Sequence, residues 1–158
     1  MRQGLRHLVE IAGQYSMNNE SDNRNQSRKY ANRTLARTVV FQLMFLEDMN
    51  PDKSEEWNNE FLSENLPAHE KVHEFARQLL AGVQENRAEL DQKIERISKN
   101  WSLARMSVTD RNILRLALYE MQHINTPKPV VISEAIELAK KFGSAESTAF
   151  VNGILDQF

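Results

Sequence analysis

The chain has no cysteine, so disulfides and thiolate metal sites are excluded. Its five glycines are scattered and form neither GxGxxG nor GxxxxGK. Phosphate cradles of the Rossmann or P-loop kind are therefore absent. No apolar run approaches the roughly 20 residues that a membrane-spanning helix needs. There is no GxSxG, no Ser-x-x-Lys and no Cys/His pairing that would mark a nucleophile. Strand-type alternation is missing too, and only the VVI at 130–132 has strand propensity. No repeat of solenoid length is found. Of the four histidines, His69 and His73 are spaced i, i+4. No zinc-protease signature surrounds them, so they are read as solvated or packing residues.

What remains is a chain of 158 residues, 41% hydrophobic and 27% charged, which fits one globular domain. The net charge of −2 hides a split. From residue 23 to 46 there are five cations, Arg24, Arg28, Lys29, Arg33 and Arg37, and no acid. From Ser54 to Glu70 there are five acids and no Lys or Arg. Such a split points to a basic site on an acidic body.

Residues 1–27 are polar and lack a sustained apolar period, and are expected to be a disordered extension. Met17 offers a second start. The apolar part of 1–17 is too short and interrupted for a signal peptide. A first helix is predicted from about Tyr30 to Asp48, with Leu35, Val39, Leu43 and Leu46 on its apolar face. Arg33 and Arg37 stand at i, i+4 on one face near its start. Cations there oppose the helix dipole, which points to an anionic ligand; a solvated basic face is the alternative. Asn50-Pro51-Asp52 stops this helix. An acidic helix is predicted over Glu55–Asn65, a long one after Pro67 through Val83, and another to about Ser98. Trp101 could stack bases, but a Trp between two helices is expected to be core.

Ser107 and Asp110 have capping-box spacing. Behind them Ile113, Leu114, Leu116, Ala117, Leu118, Met121 and Ile124 cover more than one face, so this helix should be central and buried. Pro127 and Pro129 end it. The next helix carries Ile132, Ala135, Ile136 and Ala139 and stops at Gly143, placed for a left-handed C-cap. The last carries Phe150, Val151, Ile154, Leu155 and Phe158. Gly153 within it is read as a tight packing contact.

The stretches DRNILRLALYEM (110–121), VVISEAIELAKKFG (130–143) and FVNGILDQF (150–158) resemble the NusB family of transcription antitermination factors. RTLARTVVFQLMF (33–45) is similar to that family's arginine-rich opening, although Leu35 and Thr38 replace a basic and an acidic residue common there, and Ala149 replaces another basic one. The resemblance implies an all-α fold, residues 28–158 forming about seven helices in two small bundles. It implies binding of boxA RNA from ribosomal RNA operons together with the ribosomal protein NusE, inside an RNA polymerase antitermination complex. Carried over residue by residue, it places RNA contacts at Arg28, Lys29, Arg33, Arg37, Glu146, Ser147 and Phe150, and partner contacts at Phe45 and Asp110. Core packing competes for Phe150, and capping for Asp110. No cofactor, metal or catalysis is implied; the location is cytoplasmic and the state monomer or homodimer. A stand-alone RNA-binding domain related to ribosomal RNA cytosine methyltransferases, or a helical adaptor without RNA binding, are the rival readings.

Overall fold

The computed structural model describes residues 22–99 and 101–158. The expectation of disorder for 1–27 thus falls mostly outside the described residues. The described part is helical and without strands. The helices are α1 (Arg2–Met49), α2 (Glu55–Asn65), α3 (Glu70–Glu85), α4 (Arg87–Ile97), α5 (Val108–His123), α6 (Lys128–Phe142) and α7 (Ser147–Leu155). A single 3-10 turn, Leu103–Arg105, precedes α5. The chain divides into two units, residues 1–33 and 34–158. In the first, residues 22–30 lie within α1 and are exposed throughout, although the sequence placed most of them ahead of the first helix.

In the second unit α5 is the axis. Nine successive residues, Asn112 to Glu120, are buried. That requires neighbours on every side, and α5 packs against α3, α4, α6 and α7. The α6–α7 pair and the α3–α4 pair thus form two small groups that share α5. Residues 34–48 of α1 bond to both groups, through Thr34 to Glu134 on α6 and through Asp48 to Arg87 on α4. The core is built from Val40, Leu43, Leu79, Ile94, Ile113, Leu114, Leu118 and Leu155.

Local signals explain the boundaries. Ser54 Oγ accepts the Trp57 N–H at 3.3 Å and starts α2; a hydroxyl there satisfies one orphan donor of the first turn. Ser107 Oγ accepts the Asp110 N–H at 3.0 Å and starts α5. The acidic half of that capping box is different: Asp110 Oδ1 is buried without a hydrogen-bond partner. Pro127 caps α6, and Pro129 fits its first turn, where a missing N–H costs nothing.

Several details differ from expectation. The buried stripe of α6 is Val131, Ala135, Leu138 and Ala139; Ile132 and Ile136 lie at its edge. Gly143 is extended (φ −90°, ψ −175°), not left-handed. Its need for glycine is steric instead, because a Cβ would come within 2.5 Å of the Ser147 side chain. Gly153 is exposed and a Cβ there would meet nothing within 4 Å. The close approach falls at Gly82 on α3, where a Cβ would lie 1.8 Å from the Tyr119 ring on α5. Trp101 is not core: it is 55% exposed.

Candidate functional site

The basic residues divide between the two units. Arg28 and Lys29 are exposed and Arg33 is half-buried in the first. Arg37 belongs to the second and is only 4% exposed. Its guanidinium grips Glu120 with two bonds, Nε to Oε2 at 2.9 Å and Nη2 to Oε1 at 2.6 Å. Nη1 lies 3.5 Å from Glu134 on α6, and the group sits 5.3 Å over the Phe75 ring. Glu120, 1% exposed, also accepts the Thr126 hydroxyl at 2.9 Å. The expectation that Arg37 offers its charge to an outside phosphate is therefore corrected. A planar donor fork matches a carboxylate bidentately, and this fork is already filled. The signal was in the sequence: Glu120 interrupts the apolar run of α5, and a buried acid needs a cation.

A second buried polar group ties the other end of α1. Arg115 donates to both oxygens of Asp91, at 2.6 and 2.9 Å, and to Asn112 Oδ1 at 3.0 Å. Asn112 in turn donates to Asp48, which also accepts from Arg87. Burial pushes the Asp48 carboxyl up, but the bonds from Arg87 and Asn112 and the charges of Arg87 and Arg115 outweigh it, leaving the pKa below the usual value. Its neighbour Glu47 goes the other way. Burial raises it, and the bonds from Asn58 and Gln84 only partly offset that.

At the turn into α7, Glu146 is exposed and accepts the Ser144 hydroxyl at 3.1 Å. Ser147 is buried, its Oγ accepting the Ser144 N–H at 2.9 Å. It holds the turn's shape rather than presenting a free hydroxyl. Phe150 is half-buried and packs against the core.

Phe45 lines an open apolar groove of about 470 Å³ with Phe41, Leu46, Phe61, Thr109 and Phe142. Thr109 brings the groove to the neighbour of Asp110, whose buried Oδ1 has no partner. Of the two partner residues expected from the sequence, Phe45 lines the groove and Asp110 follows Thr109, at its edge, in sequence. Sequence reasoning missed Phe41, Phe61 and Phe142, which come from three different helices. Among the described residues no three His, Asp or Glu side chains are grouped to hold a metal. His73 instead bonds through Nε2 to the Pro67 carbonyl at 3.0 Å. No described helix is long and apolar enough to cross a membrane.

The described residues thus form a helical fold with an open apolar groove on its surface and with Arg37 and Arg115 ion-paired inside it. The comparisons with known proteins agree. The model of the NusB family matches residues 30–158, and the chain belongs to that family. The transcription antitermination protein NusB of Anaeromyxobacter dehalogenans (strain 2CP-1 / ATCC BAA-258) is 42% identical over 125 residues, 79% of this chain and 88% of that protein. Among solved structures, T. maritima NusB aligns with a TM-score of 0.73 at 42% identity, covering 79% of this chain and 88% of its own. A crystal structure of the antitermination factors NusB and NusE in complex with double-stranded RNA aligns with a TM-score of 0.71 at 26% identity, covering 80% and 95%. These curated relatives are transcription antitermination proteins rather than enzymes.

Proposed function

We propose that this protein is a transcription antitermination factor that binds boxA RNA of ribosomal RNA transcripts together with NusE. The observation that carries the reading is the match, over 95% of its length, to a NusB chain solved with NusE and RNA. Arg28, Lys29 and Arg33 supply the phosphate contacts. Arg37 acts indirectly, by fixing α1 to α5 and α6 through Glu120 and Glu134. Glu146 and Phe150 add RNA contacts of their own at the α7 turn, which Ser147 braces. NusE docks on the Phe45 groove, which reaches Thr109 at the start of α5, beside Asp110. The protein works in the cytoplasm, without catalysis, as part of an RNA polymerase antitermination complex.

The test is a titration of a boxA oligonucleotide with and without NusE. NusE should raise RNA affinity by about 5–150-fold, the usual range for coupled sites, and RNA should raise NusE affinity equally. Replacing Arg28, Lys29 and Arg33 by Ala should weaken binding and reduce the log–log salt slope by about two, for three phosphates on a single strand. No binding of boxA in either condition would overturn the reading. Equal affinity with and without NusE would remove NusE from it.

A further inference from the structure

Trp101 is a large apolar side chain left 55% in water although its own backbone is hydrogen-bonded to Ser98. Ser98 and Met106, on either side, are buried. The Trp101 N–H donates to the Ser98 carbonyl at 2.7 Å, and Ser98 Oγ donates to the Trp101 carbonyl at 2.9 Å. Leu103 N–H donates to Glu95 at 3.3 Å, and the Leu103 carbonyl accepts Arg111 Nη1 at 3.4 Å. The turn is pinned at both ends, so the indole is presented rather than loose.

The sequence on either side of it is rich in cations. From Arg96 to Thr109 there are three cations, Arg96, Lys99 and Arg105, and no acid. All three are exposed, and among the described residues none makes an ion pair. Elsewhere in the second unit Arg37, Arg77, Arg87, Lys93, Arg115 and Lys140 are ion-paired, while among the described residues Lys53, Lys71, Arg111, Lys128 and Lys141 are not; this turn differs in having its unpaired cations close in sequence to an exposed indole. An exposed aromatic face with cations close by in sequence fits what single-stranded nucleic acid uses: the bases stack on the ring, and the cations meet the backbone. The only other tryptophan, Trp57, shows the contrast. It is half-buried, packs on Phe61 with centroids 5.5 Å apart, and has the Lys53 ammonium 3.4 Å over its ring.

We infer that Trp101, with Lys99 and Arg105, forms a second single-stranded RNA contact on the turn before α5, which stacks one base and holds its flanking phosphates. This rests on the RNA-binding reading above and adds to it a place the family comparison does not supply. A protein partner is the competing occupant; three exposed cations that make no ion pair, against the single carboxylate of Glu95 that already accepts the Leu103 N–H, favour RNA.

The experiment uses the full chain carrying Trp57→Phe, so that Trp101 is the sole emitter. A boxA oligonucleotide extended by unpaired adenylates at both ends is titrated in, with fluorescence anisotropy of labelled RNA read in parallel. Stacking should quench most of the Trp101 emission at saturation. Trp101→Ala should weaken binding of the extended RNA about 5–100-fold, as expected for the loss of one stacked base. Trp101→Phe should restore most of it, and thermal melting should leave both variants as stable as the parent. RNA binding of full affinity with unchanged emission and no effect of Trp101→Ala would overturn this contact and leave the antitermination reading standing. No RNA binding at all would overturn both. Quenching by NusE alone, and not by RNA, would assign the turn to a protein and overturn the proposal.

Discussion

Lys29 and Arg37 lie on the same helix, in the same acid-free stretch, and meet opposite fates. Lys29 is exposed, whereas Arg37 is enclosed and doubly bonded to Glu120. The distinction is made 83 residues away, by whether an acid arrives on the facing helix. A run of like charges therefore states only how much charge is present. Which of it is available to a ligand depends on tertiary partners. The glycines repeat the contrast: Gly82 faces the Tyr119 ring, while Gly153 faces water.

The sharpest way to break the comparison is Glu120→Ala. It leaves a buried guanidinium with its best partner gone, and removing one member of a buried pair costs about 3–5 kcal/mol. Urea denaturation should show a large drop in midpoint, with Arg28→Ala in the same assay within about 0.5 kcal/mol of the parent, as is usual for surface changes. A small effect at Glu120 would mean that Glu134 alone holds Arg37.

Gly82→Ala comes next. The added Cβ drives against a ring packed between α3 and α5, and overpacking costs about 1–3 kcal/mol. Pairing it with Tyr119→Leu should recover part of the loss, a non-additivity that a double-mutant cycle measures.

Two adjacent acids give a pH version of the same contrast. The Asp48 carboxyl is held low, so it stabilises the fold above the unfolded value of about 3.9, and that is lost as pH falls through its folded value. Glu47 is raised, so its contribution is full below about 4.3 and is lost as pH rises through its folded value. Melting curves from pH 2.5 to 7 should show Asp48→Asn flattening the acid limb. Glu47→Gln should instead be harmless or mildly stabilising near neutrality. If both substitutions move the acid limb alike, the opposite signs are wrong.

The smallest expected effect has the opposite direction. Gly153→Ala on α7 meets no neighbour, and alanine gains about 0.5–1 kcal/mol over glycine within a helix. Thermal melting should therefore rise slightly.

Elements whose causes are local were legible in the sequence. The α2 limits at Glu55 and Asn65 follow from Ser54 on one side and Pro67 on the other, and the α5 start follows from Ser107. The burial of α5 was readable because its apolar residues cover more than one face. Phe45 and the start of α5 could be singled out only through the family resemblance, and the groove that brings them together could not be seen, because Phe41, Phe61 and Phe142 converge from separate helices. Arg37 and Trp101 were misread, and the packing role of Gly82 was missed, for one reason. Their surroundings are made by Glu120, Tyr119 and the pinned turn at 98–106, and no periodicity within their own segments encodes those neighbours. Gly143 was assigned the wrong cause for a related reason, since its crowding comes from Ser147 across the turn.

The chain of bonds from Thr34 to Glu134, with Arg37 beside Glu134 and locked to Glu120, and Glu120 to Thr126, acts as a register key. Apolar helices can slide by a turn and still bury similar area. Here a slip of α1 along α5 by one turn, about 5.4 Å, would strand a cation and an acid in hydrocarbon. The key thus discriminates among packings more than it adds to the depth of the favoured one. Replacing Arg37 and Glu120 together by Met should leave the denaturation midpoint near that of the parent. The methyl NMR spectrum would then show more than one set of core signals; a single set would mean that the Asp48 bonds to Asn112 and Arg87, at the other end of α1, hold the register by themselves.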